Sequence, residues 1–124
     1  MLLLSLAVRW ENVAQEWAPY LERMTPEQRG EIGKWFRGTR SNSGVPCCSM
    51  SDGHPTLEDW RGDTYWIPNP LSLGAIEWMQ VPPEAVIRDA GNPIGEAVVW
   101  YVIQGSDTVF IRCFVPGVAC KCAC

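Results

Sequence analysis

Six cysteines carry the most explicit chemistry in this chain of 124 residues: Cys47 and Cys48 are adjacent, Cys113 stands alone, and Cys120, Cys122 and Cys124 alternate at the C-terminal end of the sequence. An even set of thiols in a small chain points to disulfides formed in an oxidising compartment, while the spacing leaves their connectivity open. The expected bond joins Cys47 or Cys48 to Cys113, because it would pin a long polar segment to a predicted strand. Closing a loop of about 65 residues stabilises by roughly 4 kcal/mol when counted as chain entropy. The remaining vicinal cysteine would then pair with the tail. Rival readings use the same atoms. Cys47, Cys48, Cys113 and His54 supply the ligand types of a zinc site, yet vicinal and Cys-x-Cys spacings fit structural zinc poorly, so no metal or other cofactor is expected. Adjacent thiols also form reducible bonds, which would make the protein a redox handler, and the tail thiols could bond between molecules.

His54 is the single histidine and the one side chain that titrates near neutrality unaided. With Asp52, Ser49 and Ser51 it offers the residue types of a hydrolase triad, and an envelope-acting hydrolase using His54 is the alternative function. No G-x-S-x-G elbow is present, however, and the residues crowd one loop, where Asp52-Gly53 turn chemistry accounts for them equally well. The acidic pairs Glu58 with Asp59 and Glu77 with Glu84 are read as solvated. No catalytic residue is assigned.

Tryptophan is the other unusual component, with seven residues beside three tyrosines and three phenylalanines. One small core cannot easily pair that many indole N–H groups, so part of the set is expected at the surface, as a partner interface or a sugar-stacking platform. The plainer account packs them between helices and a sheet. Net charge is −4 and no basic run occurs, which excludes a nucleic-acid binder. Apolar residues make up 47% and charged residues 19%, values that fit neither a disordered chain nor a membrane span.

The elements that must position these groups can be read in outline. Leu2, Leu6, Trp10, Val13, Trp17, Leu21 and Met24 recur at steps of three and four and form one helical stripe, with a break or kink expected near Ala18 because Pro19 lacks an N–H. The stripe is either core or a partner face, and Trp10, Trp17, Leu21 and Trp35 are the residues expected to meet a protein partner or a second copy. Thr25-Pro26-Glu27-Gln28 reads as a capping box opening a second helix from Pro26 to about Phe36, closed by Gly38 in a left-handed conformation. Residues 38 to 64 read as a long loop. Strands are expected at Thr64–Ile67, Ala75–Val81, Ala85–Arg88, Ala97–Gln104 and Thr108–Val115, the last two joined by a Gly105-Ser106-Asp107 turn. The predicted architecture is α+β in a single domain: a helical segment over 1–37, then a disulfide-stabilised β-rich segment over 38–124 with a cysteine-pinned loop and a small antiparallel sheet or partly open barrel. The run Leu2-Leu3-Leu4 to Val8 is too short to span a membrane and lacks a basic leader, so no export signal is evident.

Several motifs in order resemble a family of small uncharacterised proteins from proteobacteria and their phages, mostly exported. The resemblance spans about residues 35 to 117 and is carried by Trp35-Phe36, Gly44-Val45-Pro46-Cys47-Cys48-Ser49, Asp52-Gly53-His54, Trp78 before Val81-Pro82-Pro83-Glu84, Asn92-Pro93-Ile94-Gly95, Ala97-Val98-Val99-Trp100 and Ile111-Arg112-Cys113-Phe114-Val115-Pro116-Gly117. It implies an extracytoplasmic location or a phage particle, and disulfide use; it implies no mechanism. The amphipathic start in place of a signal peptide and the Cys120-Lys121-Cys122-Ala123-Cys124 tail depart from the pattern. The expected function is a non-catalytic, disulfide-stabilised structural or binding module that engages a protein partner through its helical stripe and tryptophans.

Overall fold

A computed structural model describes residues 16–47, 53–88 and 90–117. Helix α1 covers residues 16–21 and α2 covers Pro26–Gly38. Six strands follow: β1 Gly53–Thr56, β2 Asp59–Arg61, β3 Thr64–Pro68, β4 Trp78–Gln80, β5 Ala97–Gln104 and β6 Thr108–Val115. They form two antiparallel three-stranded sheets, ordered β1-β5-β6 and β2-β3-β4. The α+β class expected from the sequence holds, with two small sheets in place of one.

The capping box starts α2: Gln28 N–H donates to Thr25 Oγ1 at 3.2 Å and Thr25 N–H donates to Gln28 Oε1 at 2.9 Å. Two orphan amides are thereby satisfied, and Pro26 stands where its missing N–H costs nothing. The helix ends differently from expectation. Gly38 is its last residue rather than a left-handed cap, and the chain leaves through Thr39 in extended conformation, with Thr39 Oγ1 donating to Trp35 O at 2.5 Å. In α1 the break expected near Ala18 does not occur. The helix runs through Pro19 to residue 21 and Glu22 N–H reaches Ala18 O at 2.9 Å, held by the packing of Trp17, Tyr20 and Leu21 on the core.

The stretch 38–64 is not one loop, since it contains β1 and β2. Both are too short for a period-two pattern to emerge, and both are recruited by longer strands: Gly53–Thr56 pairs with Trp100–Ala97, and Asp59–Arg61 pairs with Trp66–Thr64. The strand expected at Ala75–Val81 shortens to Trp78–Gln80. That at Ala85–Arg88 is replaced by a 3-10 turn over Pro83–Ala85 and a single parallel bridge from Val86 to Phe114. The β5 and β6 boundaries match the sequence reading, and Gly105 takes the positive φ of 67° that the turn between them requires.

β5 explains how the layers stack. Val98 and Trp100 belong to one buried cluster, with Trp17, Ile32 and Phe36 from the helices and Cys47, Cys113 and Val115. Ala97 and Val99 belong to the other, with Ile67 and Val81 from the second sheet region and Ile111 and Phe114 from β6. The first sheet is thus covered on both faces, which is why Ala97-Val98-Val99-Trp100 is continuously apolar instead of alternating. Trp17, Trp35, Phe36 and Trp100 interlock, with edge-on contacts at 5.3 Å for Trp17–Phe36 and 5.7 Å for Phe36–Trp100. β1 enters this cluster at Gly53, where a Cβ would lie 2.8 Å from Phe36 Cε1 and 2.9 Å from Trp100 Nε1.

Candidate functional site

The disulfide sets the frame. Cys47 and Cys113, both fully buried, are bonded across a separation of 66 residues, one of the two pairings expected from the sequence. The bond fastens the segment after α2 to β6, and it consumes two of the thiolates that the zinc reading required. Among the described residues no group of three or more His, Cys, Asp or Glu side chains is placed to hold a metal ion. Cys48, Cys120, Cys122 and Cys124 lie outside the described residues, as do Asp52, Ser49 and Ser51.

His54 sits on β1 opposite Val99, and its Nδ1 meets the Glu16 carboxylate of α1 at 2.9 Å. Its ring lies 4.9 Å from the Tyr101 ring at an interplanar angle of 32°. The three line an open groove of about 300 Å³, with Thr56, Pro68 and Asn69 on its other walls. Burial, and then the Glu16 charge, push the Tyr101 phenol above its ordinary value of 10.0. Tyr20 is raised as well, first by burial and then by the Glu96 and Glu16 carboxylates, against the lowering effect of Arg23. A carboxylate on Nδ1 orients an imidazole for proton exchange at Nε2. The aliphatic hydroxyl that lines the groove, Thr56 Oγ1, already donates to Leu57 O at 3.0 Å, so it is not presented as a nucleophile. What the pair does structurally is plain: it joins α1 to β1.

A second depression follows the outer edge of β6. Its walls are the 41–45 turn, the segment around Pro82 and Ala85, and residues Phe110–Arg112, enclosing about 560 Å³. Asn42 Nδ2 donates to Glu84 O at 3.1 Å and Val86 O at 2.9 Å, which fixes the two non-strand walls to each other. Ile87 N–H bonds Phe114 O at 2.8 Å, and over Thr108–Phe110 no described segment pairs with the outer edge of β6. Val45 and Phe110 remain 54% and 51% exposed there. The hairpin tip adds Val102 and Ile103, also exposed.

The tryptophans expected to meet a partner are placed otherwise. Trp17 is 2% exposed, with Nε1 donating to Gly53 O at 3.0 Å. Trp35 and Leu21 pack on the same core, Trp35 Nε1 donating to Ala90 O at 2.6 Å. Of the two readings of the stripe, core describes its visible part, because the helices must cover the aromatic face of β5. Trp10 lies outside the described residues. The groove beside β6 was missed in the sequence, although a signal existed: Val102-Ile103 and Val109-Phe110 are apolar on both faces of a hairpin tip, where a solvated ribbon would alternate.

No helix among the described residues is long and apolar enough to cross a membrane. Comparisons of the chain with protein-family models, with curated proteins and with solved structures find no match, so the resemblance in motif order rests on its own residues.

Proposed function

We propose that the chain is a non-catalytic binding module of an oxidising compartment, extracytoplasmic or within a virion, that receives an extended segment of a protein partner along the outer edge of β6. The observation that supports this is the juxtaposition of the Thr108–Phe110 edge of β6, which no described segment pairs, with an apolar groove. An edge strand directs alternate backbone N–H and C=O groups outward and templates a further strand, while pockets beside it select side chains. Val45, Ala85 and Phe110 supply such a pocket, and the disulfide at Cys113 stiffens the strand that must stay extended. The partner contact expected of Trp17 and Trp35 passes to these residues.

Selection from a display library of random strand-length peptides tests the proposal. Enriched peptides should protect the amides of residues 108–110 from exchange and lose binding when alternate peptide nitrogens are methylated or when Phe110 is replaced by Asp. Failure to enrich any peptide, or enrichment indifferent to both changes, overturns it.

A second reading, a hydrolase acting through His54, is favoured only by the Glu16 carboxylate on Nδ1. Turnover of peptidoglycan or esters, abolished in His54→Ala and reduced in Glu16→Gln, would support it. An inactive wild type removes it.

A further inference from the structure

The second sheet has a face that peptide capture at β6 does not use. In β3, Ile67 is fully buried and Tyr65 packs on the same core cluster, so the alternation turns Thr64, Trp66 and Pro68 outward. Arg61 of β2 and Trp78 of β4 share that side: the guanidinium carbon of Arg61 lies 5.5 Å from the Trp66 ring centroid and 5.0 Å from that of Trp78. Arg61 Nε donates to Asp59 Oδ2 at 2.7 Å, and Gln80 Nε2 donates to Thr64 Oγ1 at 3.3 Å. Arg61 and Asp59 remain about half exposed, at 46% and 48% of their side chains. Trp66 faces Gln80 and Pro68 faces Trp78, which makes the two indoles diagonal neighbours, about 7–8 Å apart by strand geometry.

We propose that this outward face of β2-β3-β4 is a carbohydrate-binding platform for a neutral chain of β-linked, equatorially substituted pyranoses. Such a sugar presents a flat face of axial C–H groups, and the negative quadrupole of an indole attracts them. Its equatorial hydroxyls point sideways in vicinal pairs, the geometry that planar Arg, Asp and Gln groups serve by forked hydrogen bonds. The charges of Arg61 and Asp59 cancel, and the chain as a whole carries −4, so the face suits an uncharged ligand and disfavours a polyanion. The two indoles with Arg61, Asp59 and Gln80 beside them also set it apart from the Val45–Phe110 groove. The Asp59 contact holds Arg61 between the rings in advance, so little rotamer freedom is lost on binding.

Calorimetric titration of the full chain with cellohexaose and with N-acetylchitohexaose tests this, with maltohexaose as the α-linked control. The β-linked chains are expected to bind and maltohexaose to bind weakly or not at all. Trp66→Ala and Trp78→Ala should each lower affinity about tenfold, as expected for a lost aromatic stack, whereas Trp78→Phe keeps most of it. Should the alanine variants fail to fold, the indole N–H resonances of Trp66 and Trp78 in the wild type must still shift on adding the β-linked sugar. Binding that is absent, equal for maltohexaose, or unaccompanied by those shifts overturns the proposal. Phe110→Asp must leave sugar binding unchanged, which separates this face from the β6 groove.

Discussion

At Gly53 a hydrogen atom in place of a methyl decides whether β1 can reach the core. Any Cβ there would lie within 2.9 Å of the Phe36 ring and Trp100 Nε1, both buried and neither at the free end of a flexible chain. Gly53→Ala must therefore push β1 away from β5 and stretch the Trp17 Nε1 to Gly53 O bond. A loss of about 1–3 kcal/mol in urea unfolding is expected from overpacking of this kind. Tyr101 gives a second test on the same scale. Its raised folded value means the unfolded chain releases this proton first, so its contribution to stability is intact below pH 10 and is lost as pH rises through the folded value. Ultraviolet titration of tyrosinate should show late ionising phenols, and Glu16→Gln should advance the Tyr101 midpoint without abolishing its delay, since burial is the larger cause. His54 was legible in the sequence as a lone titratable group, but its partner was not. Glu16 lies 38 residues away, and only the docking of α1 against β1 brings the two together.

Among the elements, those with local chemical signatures were legible. The Thr25-Pro26-Glu27-Gln28 cap named its own helix start, and the apolar runs of β5 and β6 were long enough to read. The β2–β3 hairpin was missed although its signal is local too: Gly62 and Asp63 both have positive φ, 52° and 69°, the two-residue turn that lets right-twisted strands fold back. Gly-Asp between Trp60-Arg61 and Thr64-Tyr65 is a hairpin signature, outweighed by the polar composition around it. Asp63 is the one described non-glycine residue in the left-handed region, where a β-branched side chain is strained. Asp63→Val is expected to cost about 1–2 kcal/mol in chemical denaturation, while Asp63→Gly stays near wild type. Because Arg61 adjoins this turn, Asp63→Val should also weaken sugar binding on the outward face, and Asp63→Gly should not.

Across the whole molecule, long-range order depends on Cys47–Cys113. The sequence narrowed this bond to two candidates, and it forms at Cys47, whose side chain enters the cluster of Phe36, Trp100 and Val98. Its separation of 66 residues encloses β1 to β5, both sheets' central strands included. Opening it would release about 4 kcal/mol of restraint on the unfolded chain, an amount comparable with the full stability of many small domains. Cys47→Ala with Cys113→Ala should therefore lower the unfolding free energy from urea titration by most of that amount, and the denatured chain, freed of its cross-link, should expose more surface and steepen the transition. The same variant separates scaffold from function. If β6 captures a strand only while held extended by the bond, peptide affinity must fall at temperatures where the variant is still folded. The platform on β2-β3-β4 packs through Ile67 and Val81 on Ala97, Val99 and Phe114, a cluster separate from the one that holds the disulfide, and should keep its sugar affinity under the same conditions. Parallel loss of both activities well below the unfolding midpoint would mean that the two sheets do not behave as separate supports.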